Sequence, residues 1–177
     1  ERNAREPHGD GDQSKHTVES AEGKILREVW ASGADYADTI DGSSSGGTSI
    51  HRLCVFGRVD SVARLLNRSV GADERRRLLE KRISVLRVTP LMATVTARRF
   101  LPQPVLQQIP ASDHVQIARL LLAAGARTEA KDLAGHTAFM KAVGDFPTPT
   151  QWAIGKEILL AGGNINAKNR FGETALY

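Results

Sequence analysis

The chain has 177 residues, 41% hydrophobic and 25% charged, values that suit one folded unit, and its 5% aromatic content makes any core mostly aliphatic. A single cysteine, Cys54, excludes an internal disulfide framework and a Cys-rich zinc site. The net charge of +4 is concentrated: residues 68–87 hold seven basic and three acidic side chains, a surplus equal to that of the whole chain, so a uniformly basic nucleic-acid binder is disfavoured.

In chain order, residues 1–20 are polar, mixed in charge and almost free of branched apolar side chains. Such a stretch buries too little surface to offset its ordering entropy, and a disordered tail is expected. Residues 42–47, GSSSGG, read as a flexible loop. Beyond them short apolar-periodic runs alternate with Gly and Asp or Asn turn signals, without sustained strand-type alternation, so many short helices are expected. Within residues 69–88 the run ADERRRLLEKR predicts an added short helix. Leu78, Leu79, Ile83 and Leu86 would share its apolar face. Arg75, Arg76, Lys81 and Arg82 would project elsewhere, partly compensated by Asp73, Glu74 and Glu80. Residues 98–112 hold three prolines and are expected to form an extended loop, and residues 144–150, GDFPTPT, a second one. Phe100, Leu101, Val105, Phe146 and Trp152 would there serve as exposed anchors or fold back as lids. The longest apolar runs, such as residues 120–124, fall far short of the roughly 18 residues that cross a bilayer.

Internal repetition organises these segments. The tetrapeptides at 48–51, 89–92, 137–140 and 174–177 all begin with threonine and carry an apolar residue at the third place. The run LLLAAGA at 120–126 returns as ILLAGG at 158–163 and, more weakly, at 29–35. Residues 129–137 return at 166–174, keeping Ala-Lys and Gly-x-Thr. Each element has a mechanical reason. A threonine hydroxyl accepts an orphaned first-turn amide, and proline, present at Pro90, is pre-set for helix entry. Gly135 and Gly172 permit a tight turn, and Gly125 and Gly162 suit a left-handed helix cap. The unit is therefore turn, helix, connection, helix, glycine cap and extended loop.

With these elements in this order, the sequence resembles ankyrin repeats. That pattern has a Gly-x-Thr-Pro-Leu-His turn, a short helix, Gly-His, a longer helix ending in Leu-Leu-x-x-Gly-Ala-Asp, then an Asn-Ala turn. Residues 137–166 match it best, and the unit from Thr48 to Arg68 keeps His51, Gly57, Val62, Leu65 and Leu66. His114 stands at the Gly-His position, with Asp113 in place of the glycine. The threonine spacings of 41, 48 and 37 exceed the family's 33, and the excess falls in the three insertions already named. The resemblance implies an all-α, ankyrin-like helical solenoid of stacked helix-turn-helix repeats with extended loops over residues 21–177. Its units would be about 21–47, 48–88, 89–136 and 137–173, with a partial unit at 174–177. An aliphatic seam of Val62, Leu65, Leu66, Leu91, Ile117, Leu120, Leu121, Ile154, Ile158 and Leu159 would fill it.

The function expected from the resemblance is protein–protein interaction without catalysis, presented by a domain expected to be monomeric. The partner, a protein, would lie across the inner helices and the turn tips, which carry Arg127, Glu129, Lys131, Asp132, Lys168, Asn169 and Arg170. The basic residues Arg75, Arg76, Lys81 and Arg82 form a further candidate for an acidic protein segment. Catalysis is disfavoured. His8 and His16 lie in the tail, while His51, His114 and His136 fall at repeat or turn positions where structural hydrogen bonds are expected. Cys54 sits at a small-residue helix position, expected to be buried and inert. No phosphate-binding Gly-Lys-Ser/Thr loop and no histidine pair at helical metal spacing occur, so neither cofactor nor metal is expected. Two rivals stay open: a targeting or regulatory region of a larger enzyme or MYND-type zinc-finger protein, and a nucleic-acid or anionic-membrane binder acting through residues 75–87. The sequence starts at Glu1 and stops at Tyr177 inside a tetrapeptide, and reads as a fragment. No signal-type apolar segment opens it, and a reducing cytoplasmic or nuclear compartment is the expectation.

Overall fold

In the computed structural model, residues 49–69, 71–83, 86–144 and 147–175 are described. The expected tail at 1–20, the leading unit at 21–47 with its glycine-serine loop, Thr48, Phe146 and the last two residues of the closing tetrapeptide lie outside the described residues. The helices are α1 Ser49–Val55, α2 Val59–Arg68, α3 Ala72–Leu79, α4 Pro90–Phe100, α5 Gln103–Leu106, α6 Ala111–Ala123, α7 Ala138–Val143 and α8 Pro149–Leu160.

Side-chain capping explains where several of them begin. Thr89 is extended, its hydroxyl accepts the Met92 amide at 3.4 Å, and Pro90 opens α4. Thr137 accepts the Met140 amide at 3.3 Å at the start of α7. Replacing Thr137 with Ala is expected to cost about 1 kcal/mol, read as a lower urea midpoint at unchanged slope. Helix ends repeat as well. The amides of Gly125 and Ala126 bond back to the carbonyls of Leu122 and Leu121 at 3.0 and 2.9 Å, with Gly125 at φ +94°. The same pair of bonds closes α8 at Gly162 and Gly163 and α1 at Gly57 and Arg58. A left-handed residue is needed at each such cap, and glycine adopts it without steric penalty.

Tertiary packing arranges these helices in two rows. Helix α1 packs on α4 and α4 on α7, while α2 packs on α6 and α6 on α8. The pairs α1/α2, α4/α6 and α7/α8 also touch internally. The described chain is all-α, with a single antiparallel bridge between Ile83 and Val88. Val62, Leu66, Leu91, Ile117, Leu121, Ile154 and Ile158 are buried between the rows, and Leu65 and Leu120 pack at the edge. Leu159 departs from the expected seam and is 37% exposed. Its neighbour Ile158 faces the core, and one step along a helix rotates the next side chain by about 100°.

Three further expectations are corrected by packing. Residues 98–112 do not form an extended loop: α4 continues to Phe100, α5 follows, and Leu101 and Ile109 are buried against Val55, Ala93 and Ala97. Val105 and Leu106 pack on the same cluster, so the segment folds back as a lid. Burial of these four apolar side chains outweighs the loop signal of the prolines, which only set where α4 stops and α5 starts. The 144–150 segment is shorter than expected because Thr148 caps α8, accepting the Gln151 amide at 3.2 Å while Gln151 Oε1 accepts the Thr148 amide at 2.9 Å. Helix α3 stops at Leu79, so Ile83 and Leu86 do not continue its apolar face; they belong to the bridged turn described below.

Two buried histidines tie the first helix pair to the second. His51 Nε2 donates to the Val88 carbonyl at 3.0 Å, and His114 Nε2 to the Val55 carbonyl at 2.9 Å. The row of α2, α6 and α8, the outer row, adds an Arg119–Glu157 pair at 2.7 Å on its surface, which water and salt screen.

Candidate protein-interaction surface

The chain makes three related turns, before α4, before α7 and after α8. Ile83 and Val88 exchange both backbone hydrogen bonds, at 3.0 and 3.2 Å. The Asp132 amide donates to the His136 carbonyl at 3.0 Å, and the Asn169 amide to the Glu173 carbonyl at 2.9 Å. Side chains lock the second and third turns. Asp132 Oδ1 accepts the His136 amide at 2.8 Å, and Asn169 Oδ1 accepts the Phe171 and Glu173 amides at 2.9 and 3.0 Å. The residue two places before the following threonine is left-handed in all three: Arg87 at φ +59°, Gly135 at +84° and Gly172 at +82°.

The turns are bonded to one another by a repeated contact. Leu133 N donates to the Leu86 carbonyl at 2.8 Å, and Arg170 N to the Ala134 carbonyl at 3.1 Å. Leu86 and Ala134 each precede the left-handed residue, and Leu133 and Arg170 each follow the opening residue of their turn. Asn169 Nδ2 donates to Glu173 Oε2 at 2.7 Å and to His136 Nε2 at 3.2 Å, adding a side-chain link between the second and third turns.

Basic side chains run along this row. Arg82 Nη1 donates to the Lys131 carbonyl at 2.7 Å, and Lys131 Nζ donates to the Lys168 carbonyl at 2.7 Å. Arg82, Lys131 and Lys168 each stand just before the turn's opening residue, and all three are exposed. The basic stretch and the turn tips, separate candidates in the sequence, are thus joined at Arg82. The remainder of the stretch stays local: Arg75 Nη2 donates to the Ser69 carbonyl at 3.3 Å, Arg76 pairs with Glu80 at 3.5 Å, and Lys81 is half-buried. Glu80 also lies 3.9 Å from Arg127. Glu129 Oε1 accepts the Asn164 amide at 2.8 Å, and Arg170 is exposed beside Phe171.

Asp132 corrects the expectation of an exposed tip residue. Its side chain is buried, with Lys141 Nζ 2.9 Å away and His136 Nδ1 3.6 Å away. Burial alone would raise its carboxyl, but the Lys141 hydrogen bond and charge, with the His136 amide, hold it below the ordinary carboxylate range. It is a turn lock, not a contact residue. Sequence reasoning placed Arg87 only at the end of the basic stretch 75–87; it holds the left-handed place that Gly135 and Gly172 take in the later turns. Of the other proposed anchors, Trp152 on α8 is 54% exposed.

The thiol lies apart from this row. Cys54 is fully buried, and burial pushes its thiol up to about 12 despite a hydrogen bond with the Thr94 side chain. A thiol reagent is therefore expected to label Cys54 only at the rate of unfolding; rapid labelling of the native chain would contradict this burial. No group of three His, Cys, Asp or Glu side chains able to hold a metal occurs among the described residues. None of the described helices is long and apolar enough to cross a membrane. No protein-family model and no curated protein matches this sequence.

Proposed function

We propose that the chain is an ankyrin-like helical-repeat stack that binds a protein partner across its turn tips and its row of shorter helices α1, α4 and α7, with no chemistry of its own. The observation that carries this reading is the repeated bond between successive turns, Leu133 to Leu86 and Arg170 to Ala134. Those bonds hold exposed side chains in a fixed row before any partner arrives, which lowers the ordering cost of association. The two rows of helices supply the stiff support, and the corresponding bonds at both junctions are what stacking of one unit on its like produces.

A photo-crosslinking residue tests the reading when placed at Lys168 on the tips or, separately, at Arg64 on α2. In cells expressing the chain, a protein captured from Lys168, competed away by unlabelled chain and absent from the Arg64 position, is the expected result. Capture from Arg64 alone would place the binding face on the outer row instead.

A further inference from the structure

We propose that the row of basic tips receives an extended acidic protein segment carrying a carboxylate at every third residue. This deepens, and rests on, the reading of the tips as the binding face. Arg82, Lys131 and Lys168 supply one exposed cation per turn, and each of the first two is steadied by a hydrogen bond to the carbonyl of its counterpart in the next turn. That bond occupies one donor of each group, leaving further guanidinium N–H groups on Arg82 and two ammonium protons on Lys131 for a ligand. Among the described residues no ion pair takes any of the three, while Glu80, Asp132 and Glu173 are already engaged by Arg76 and Arg127, by Lys141, and by Asn169.

The spacing selects the ligand. Each unit adds one bond across its own turn and one to the next turn, so one cation recurs per stacked unit. Packed helices lie roughly 8–10 Å apart, which sets the interval between successive cations at about that distance. A polyproline II segment has three residues per turn and rises about 3.1 Å per residue, so every third side chain shares a face at about 9 Å intervals. Carboxylates at that period meet the cations one for one. A nucleic acid fits less well. Its phosphates are far denser than one per roughly 10 Å, the exposed Glu129 and Glu173 are set beside the row, and the one exposed aromatic on these turns is Phe171, where single-strand binding uses successive stacking platforms.

Three labelled probes distinguish the outcomes by fluorescence anisotropy with the full chain: a peptide of repeated Glu-Pro-Ala, a peptide of the same composition with its glutamates adjacent, and a short oligothymidylate. The periodic peptide is expected to bind about tenfold more tightly than the clustered one. Lys131→Gln with Lys168→Gln should erase that difference, while Arg64→Gln on the outer row leaves it, with helical circular dichroism and melting unchanged in both. Equal binding of the two peptides, tighter binding of the oligonucleotide, or no binding of any probe would each overturn the acidic-period proposal. Capture at Lys168 in the crosslinking experiment would still stand in those cases, so the failure of this inference is separable from failure of the broader reading.

Discussion

Lowering the pH from 7 to 5 is expected to remove about 2 kcal/mol of folding stability through His51 alone. The ring is buried with its Nε2 on the Val88 carbonyl. Burial pushes its pKa down from 6.5 to about 4, against the pull of its backbone hydrogen bonds. Between those two values the unfolded chain binds a proton that the folded chain refuses, so stability falls as the pH drops through this window. His114, also buried and also lowered by burial first, adds to the loss with the same sign. Asp132 acts lower down: its lowered pKa gives stability that is present above the ordinary carboxylate range and lost as the pH falls through the folded value. Urea titrations at pH 7 and pH 5 measure the histidine effect, with an expected midpoint shift on the order of 1 M. In His51→Gln the pH difference should shrink even though the variant is weaker at pH 7. Equal midpoints of the parent chain at the two pH values would mean that these rings are not held neutral.

The second large effect is expected at Gly135. Replacing it with Ala puts a Cβ on a residue at φ +84° and about 2.7 Å from the backbone nitrogen of Arg170. That nitrogen makes the bond to Ala134 that joins the second and third turns. The left-handed conformation costs an L-residue roughly 1–2 kcal/mol, and loss of the inter-turn hydrogen bond adds about 1 kcal/mol. Gly172 provides the control: its φ is +82°, but a Cβ there meets nothing within 4 Å. Gly172→Ala should therefore cost only the conformational part, and Gly135→Ala about 1 kcal/mol more, with faster amide exchange at Arg170. Equal costs for the two substitutions would show that the turns do not support one another.

The same substitution bears on binding. If the tips work as a preorganised row, freeing the third turn from the second weakens the periodic acidic peptide more than it weakens the clustered one. On that proposal stability and recognition share one backbone contact, since the bond from Arg170 to Ala134 joins the turn that carries Lys168 to the turn that carries Lys131.

The amino-acid sequence by itself determined the parts whose physics is local. Threonine ahead of an apolar run, proline at the first helical place and glycine after a leucine run each act within a few residues of themselves. The starts of α4 and α7, the glycine caps of α6 and α8 and the separate helix α3 follow from them. Seven of the ten seam residues expected from the repeat pattern are buried. The tertiary structure alone decided what depends on partners distant in the chain. Leu101 and Ile109 turn inward because Val55 and the face of α4 offer them apolar cover. Asp132 is drawn inside by Lys141, and Leu86 leaves the path of α3 in a turn whose carbonyl meets Leu133. Arg82 lies 49 residues from the carbonyl it reaches and Lys131 lies 37 from its own. No local spacing encodes those approaches. A charge count identifies the basic stretch, but only the stacking of one turn on the next brings Arg82 to the Lys131 backbone and Lys131 to that of Lys168.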